Sequence, residues 1–276
     1  MHRPRTLDEA LALRAQHPDY MVMAGCTDLM VNANHRAAPL GILDLWRLPG
    51  LDGVTVDAHG ARIGAGTTWL EVQRAVALAP WSPLIAAARE IGALQIQARA
   101  TLGGNVGTSS PVGDSLPTLL ALDAELELAS VRGRRRVPYR EFCTGYRKTA
   151  LAADELIVAA HLPPIAANTH LVWKKVGTRR AQSISKVMGA AAIVVTGGTI
   201  TSARVALGAV ADRPIRIAAI ETAVIGLAPA RAAEAARDAL HGAIKPIDDV
   251  RSTSAYRLDV AGNLVARFFS DLVSYS

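Results

Sequence analysis

Cysteine is nearly missing from this 276-residue sequence: Cys26 and Cys143 stand far apart and outside any CxxC or Cys/His spacing. That excludes a zinc or iron–sulfur site built from this chain alone. Aromatics make up only 4%, so alanine and small aliphatics must fill the core. No window holds the roughly 18 consecutive apolar residues of a membrane span, and the N-terminal MHRPRTLDEALALRAQHP lacks the apolar region of an export signal. A cytoplasmic chain with no membrane span is expected. Charged residues are sparse at 20%, and 30 Lys and Arg against 24 Asp and Glu leave a net +6, a modest bias toward anionic partners. The only dense basic run, Arg132 to Arg136, follows the alternating Leu126, Leu128 and Val131 and reads as a hairpin turn. No nucleic-acid partner is expected. Also absent are GxGxxG, GxxxxGK[ST], a nucleophile elbow, a metal-ligand cluster and a carboxylate pair. The sequence therefore offers no catalytic side chain and no metal site.

What is present is a folding chain. Half the residues are hydrophobic, unlike a disordered composition, and the length suits two domains of about 100 to 150 residues. Thr6 and Glu9 fit a capping box ahead of Leu7, Ala10, Leu11 and Leu13 at helical spacing. Pro18 ends that helix, Tyr20 to Ala24 reads as a buried strand broken at Gly25, and a second strand near Ile42 to Leu45 completes a short β-α-β style unit. Val54 to Val56 and Arg62 to Ile63 flank a His59-Gly60 turn. A second capping box at Thr68 and Glu71 opens a helix that carries Leu70, Val72, Val76 and Leu78 and stops at Pro80. Pro83 to Leu94 reads as another helix with Ile85 and Ile91 on its apolar side. Strands are expected at Glu125 to Val131 and Glu155 to Leu162, and Pro163-Pro164 marks a domain boundary. Beyond Ile165, strands near Leu171 to Val176, Ala190 to Val195 and Ser202 to Ala209 precede helices from about Ile215, Ala230 and Thr253, an α+β layer.

Two loops could carry chemistry. In Val22 to Leu29, VMAGCTDL, a strand runs into a turn where Gly25 lets the backbone approach a ligand and successive amides suit a pyrophosphate; a plain turn with Thr27 or Asp28 capping the next helix is the alternative. Thr101 to Asp114, TLGGNVGTSSPVGD, lies in a stretch, Ala98 to Pro117, without periodicity, and is expected to be an ordered functional loop. Its glycines could seat a flat ring or phosphate, with Thr101, Asn105, Ser109 and Asp114 as polar partners.

AGCTDL at Ala24 to Leu29, TLGGNVGTSSPVGDSLPTLLAL at Thr101 to Leu122 and KKVGTRRAQSISKV at Lys174 to Val187 together resemble the FAD-binding (medium) subunit of the molybdenum hydroxylases, such as xanthine dehydrogenase and carbon monoxide dehydrogenase. The resemblance covers nearly the whole chain. It implies an α+β fold: a two-subdomain FAD-binding domain of the vanillyl-alcohol oxidase/MurB type over residues 1–164, divided near residue 53, then a C-terminal domain over 165–276. It further implies that Val22, Met23, Ala24, Gly25, Cys26, Thr27, Asp28 and Leu29 wrap the pyrophosphate. Thr101, Gly104 and Asn105 would run along the diphosphate and flavin, Asp114 would be the FAD-contacting acid, Ile91 and Ile157 would pack on the cofactor, and Lys175 would lie near the flavin. A cation there would stabilise the anionic reduced ring; a solvated strand lysine is the other reading. Arg179, Arg180 and Lys186 read as structural or surface residues. The chain departs from the family where AGGT is common, having Cys26, and where some relatives place an aromatic residue, having Ile91. The implied function is electron transfer through FAD from [2Fe-2S] clusters on a small partner subunit, fed by the molybdenum cofactor of a molybdopterin-binding large subunit, to NAD+ or another acceptor. A stand-alone FAD-dependent oxidoreductase, or an assembly subunit without flavin, would be the alternatives.

Overall fold

Capping chemistry sets the first element. In the computed structural model, which describes residues 1–35, 37–179 and 182–272, the Thr6 hydroxyl accepts the Glu9 amide at the head of α1 (Leu7–Gln16), and the Glu9 carboxylate takes the Arg5 amide at 2.7 Å. Arg180 and Ala181 of the third motif lie outside the described residues. β1 (Met21–Met23) and β2 (Ile42–Asp44) pair in parallel across a 3₁₀ segment at Leu29–His35. β3 (Val54–Asp57) and β4 (Gly60–Gly64) form the expected hairpin.

Three helical expectations change. α2 (Trp69–Arg74) has the full capping box but does not reach Pro80; Ala75 turns extended and Val76–Trp81 continues as a 3₁₀ helix. Pro80 has no amide to donate to the carbonyl four residues back, and Val76, expected on the apolar side, is exposed. α3 (Ser82–Glu90) stops before Ile91, because Gly92 adopts φ 57°, and a single turn, α4 (Leu94–Gln97), follows. The Ala98 to Pro117 stretch is more regular than its composition suggests: α5 (Leu102–Thr108) and α6 (Leu116–Ala121) arise within and beyond it. Bonds from the Leu102 amide to the Thr67 carbonyl and from the Gly103 amide to the Ala65 carbonyl anchor α5 and override the poor helix propensity of its glycines.

β5 (Glu125–Ser130), β6 (Gly133–Pro138) and, after the short α7 (Tyr139–Phe142) and the hairpin of β7 (Cys143–Gly145) and β8 (Lys148–Thr149), β9 (Leu156–Leu162) complete an antiparallel sheet of order β3-β4-β9-β5-β6. The basic run straddles its hairpin: Arg132 sits in the turn, whereas Arg134, Arg135 and Arg136 lie in β6 and pair with Glu127, Glu155 and Glu125. Those arginines serve the sheet.

The C-terminal half builds a second antiparallel sheet from β10 (Thr169–Val176), β11 (Val187–Thr196), β12 (Thr199–Gly208) and β13 (Ile215–Arg216), then α8 (Ala218–Val224), α9 (Pro229–Leu240) and α10 (Ser254–Ser270). The helix expected from Ile215 thus begins at Ala218. One face of this sheet buries Val187, Ile193 and Val205 against α8, α9 and α10, with Phe268 and Phe269 at the centre. The opposite face contributes Trp173, Ala190 and Ala206 to the core shared by Trp69, Leu84, Leu102, Leu119 and Leu126. Apolar surface buried jointly by both halves fixes their relation. A third cluster, Leu43, Leu45, Leu156 and Val158 with Ala10 and Leu11, ties α1 and β2 to the back of the first sheet.

Candidate functional site

A cleft of about 1410 Å³ opens where β1, α5, the start of β9 and the C-terminal half meet. All eight residues of Val22 to Leu29 line it, and so do Ile91, Thr101, Gly104, Asn105, Asp114 and Ile157. Fourteen positions scattered over the sequence thus converge on one cavity.

The first loop follows β1. A Cβ on Gly25 would fall 1.8 Å from the Arg99 carbonyl oxygen, so this glycine is demanded by a close backbone crossing and not by a ligand. Cys26 has φ 64°, a left-handed conformation that costs a residue with a Cβ about 1 kcal/mol; the glycine common there in the family would not meet that cost. Its thiol turns back onto the Ala24 carbonyl at 3.4 Å. Burial pushes that thiol up from its ordinary 9.0, with Arg99 opposing and Asp44 reinforcing the shift. Asp28 reaches toward the Thr108 hydroxyl at 3.5 Å and Arg147 at 3.9 Å.

On α5 the glycines divide their work. A Cβ on Gly103 would stand 2.7 Å from that of Ala65, so Gly103 permits close packing of helix on strand. Gly104 and Gly107, one helical turn apart, are exposed to the cleft. Beyond its own cap, a Cβ at 104 meets nothing closer than 4 Å, and one at 107 only Ile157 Cδ1 at 3.6 Å. A Cβ at 104 would crowd the Thr101 cap hydroxyl at 3.0 Å, whereas the protein's own packing does not require Gly107. The absent side chains of both leave a bare face of the kind a flat ring can cover. The Thr101 hydroxyl is used as the helix cap, accepting the Gly104 amide at 3.1 Å, and the Asn105 side-chain oxygen Oδ1 accepts the Ser115 hydroxyl at 2.6 Å.

Ser109 and Lys175 do not line the cleft. Ser109, fully buried and left-handed at φ 47°, ends α5, and its hydroxyl lies 3.0 Å from the Cys143 thiol. The hydroxyl expected to serve a ligand is thus engaged with Cys143 in this arrangement. Lys175 is neither solvated nor free-standing: its side chain is 3% exposed, and its ammonium lies 2.6 Å from Asp114 Oδ2 and donates to the Glu90 carbonyl at 3.2 Å. Asp114 also accepts the Ser185 hydroxyl at 2.5 Å, and its backbone carbonyl takes the Trp173 indole N–H at 3.1 Å. Burial pushes the Asp114 carboxyl up from 3.8, while Lys175 and Ser185 offset part of that rise. Lysine and aspartate thus form a buried pair without net charge, with Asp114 in the cleft wall and Lys175 behind it.

Several cleft-lining residues gave no signal in the sequence. Arg14 of α1, Tyr20, Leu45, Tyr146, Arg147 and Arg257 face the cavity from segments with no motif. Arg257 is 2% exposed and bonds to the Lys186 and Ala209 carbonyls and to Asp249. Among the described residues, no group of three or more His, Cys, Asp and Glu could hold a metal ion, and no helix is long and apolar enough to cross a membrane.

Residues 1–165 match the FAD-binding domain in molybdopterin dehydrogenase, and residues 174–272 the C-terminal domain of the CO dehydrogenase flavoprotein. The chain is 32% identical to the xanthine dehydrogenase FAD-binding subunit of Escherichia coli O157:H7, over 99% of this chain and 95% of that one. It is 29% identical to the nicotinate dehydrogenase FAD-subunit of Eubacterium barkeri, over 98% and 94%. Among solved structures, the carbon monoxide dehydrogenase of Hydrogenophaga pseudoflava that lacks the Mo-pyranopterin moiety superposes with a TM-score of 0.91 at 31% identity, covering 96% of this chain and 94% of that one.

Proposed function

Because the chain belongs to the FAD-binding subunits of the molybdopterin dehydrogenases, we propose that it is the electron-transfer subunit of a molybdenum hydroxylase. It would take electrons from [2Fe-2S] clusters on a partner and pass them to NAD+ or another acceptor. One observation carries this reading: both glycine-bearing loops, Ile91, Ile157 and Asp114 face one cleft, and Gly107 on the bare face of α5 has no packing explanation within the protein. Bound FAD supplies what the side chains lack, exchange of one electron at a time with one partner and of two with another.

The chain's own part is to hold and shield. The Val22 to Leu29 turn and Thr101 to Asn105 would take the diphosphate and the flavin side. Ile91 and Ile157 would keep water from the ring, and the Asp114–Lys175 pair would set a polar but uncharged boundary. The division at Pro163-Pro164, with subdomains 1–53 and 54–164 ahead of 165–276, belongs to the same proposal. So does assembly with an iron–sulfur small subunit and a molybdopterin-binding large subunit. Purification of the tagged chain from its native host tests it. The expected product holds two further polypeptides together with FAD, iron and molybdenum; a chain that arrives alone with FAD would instead be a stand-alone flavoenzyme, and the relay reading would fall.

A further inference from the structure

Arg14 is the one arginine of α1 that lines the cleft. Among the described residues its guanidinium makes a single hydrogen bond, from Nη1 to the Tyr20 carbonyl at 2.9 Å, and its Nε is buried without a partner. Asp154 and Asp19 lie near enough to act on it through space but neither forms an ion pair with it, and burial pulls it below its ordinary 12.5 despite them. Asp154 is itself held by Arg132 at 2.8 Å. A guanidinium carries five donors and a flat face; this half-buried one turns part of both to the cleft, and its buried Nε lacks a partner.

Its position along the cleft says what could complete it. Tyr20 precedes β1, and the Ala24 to Leu29 turn follows β1, so with about 3.3 Å per strand residue Arg14 is anchored roughly 13 Å from the turn. At the far end of that turn Asp28 meets Thr108 of α5 at 3.5 Å, so α5 and the Asp114 loop that follows it adjoin the turn and not the Tyr20 end of β1. Resting on the FAD reading above, which assigns the turn to the diphosphate and the Gly104–Asp114 side to the flavin, the opposite end is left for adenosine. Leu13, which precedes Arg14, packs in one cluster with Val22, Leu45 and Leu156, and the last three line the cleft, an apolar slot suited to a flat heterocycle. We infer that Arg14 is a specificity-determining residue for the cofactor, its guanidinium stacking on or donating to the adenine of FAD.

The test uses the full chain and compares the parent with Arg14→Met, which keeps the aliphatic stem. Dissociation constants are measured for FAD by quenching of flavin fluorescence, and for ADP and FMN by direct calorimetry. The expected result is a loss of tenfold or more for FAD and a similar loss for ADP, with FMN, which has no adenosine, bound as in the parent. Equal losses for all three would mean that the variant has only loosened β1 through the Tyr20 carbonyl, and unchanged FAD affinity would mean that Arg14 does not touch the cofactor; either overturns the inference. A parent chain that binds no FAD overturns the flavin reading itself, and this inference with it.

Discussion

At the scale of single residues, the Asp114–Lys175 pair decides most. Removing one member of a buried ion pair strands the other, at a cost of about 3–5 kcal/mol, so Asp114→Ala is expected to lower stability in urea by that order and to raise the FAD dissociation constant. The proper control is Arg136→Ala: Arg136 is over half exposed and sits 3.6 Å from Glu125, away from the cleft. It should leave both quantities unchanged. Arg135 is a poorer control than its place in a basic run suggests, because it clamps Glu155, a cleft-lining carboxylate, through contacts of 2.6 and 2.8 Å. That clamp, like the Ser109–Cys143 contact, joins residues far apart in sequence and left no local trace there. Cys26 is the opposite case: it stands out in the sequence as a departure from glycine, and the structure adds that its backbone is left-handed and its thiol turned back onto Ala24.

At the scale of elements, α5 shows why a glycine-rich stretch can be misjudged. Its composition argues against a helix, yet the Thr101 cap and two backbone bonds to Ala65 and Thr67 hold it in place. Two substitutions separate its packing glycine from its cleft glycine. Gly103→Ala would press on Ala65 at 2.7 Å and should destabilise the fold, whereas Gly107→Ala meets only an ordinary contact at 3.6 Å. Gly107→Ala should hold or raise stability by up to about 1 kcal/mol while weakening FAD binding, as read by urea titration and flavin fluorescence. If it bound FAD as tightly as the parent, the ring would not lie on this face. Most strands, the Thr6 cap and the Thr68–Glu71 capping box were legible because their signals are local. The early end of α2 and the break at Gly92 were less so, since periodicity alone extends a helix past its true end.

At the scale of the whole molecule, the C-terminal sheet is wedged between its own helices and the core of the first half, and Asp249 braces it from below. Burial alone would raise the Asp249 carboxyl, but the contacts from Arg251, with the Arg257 charge beside them, hold it down to about 2. A carboxylate depressed from 3.8 in the folded state contributes stability that is complete above that value and lost as the pH falls through about 2. The melting temperature of the parent should therefore exceed that of Asp249→Asn at pH 5, with the gap closing toward pH 2; a gap that widens on acidification would contradict this. Asp114, whose carboxyl is raised, contributes with the opposite sign, which is why the difference between parent and variant is the quantity to follow. The sequence by itself determined most strands, the family and which two segments form the glycine-bearing motifs, because caps, alternation and glycine motifs act over a few residues. Only the tertiary structure decided which glycines serve packing and which face the cleft, that Lys175 is neutralised by Asp114, and that Arg14 reaches the cavity. Those outcomes depend on contacts between segments tens to over a hundred residues apart, where burial and close approach, not local propensity, set the energy.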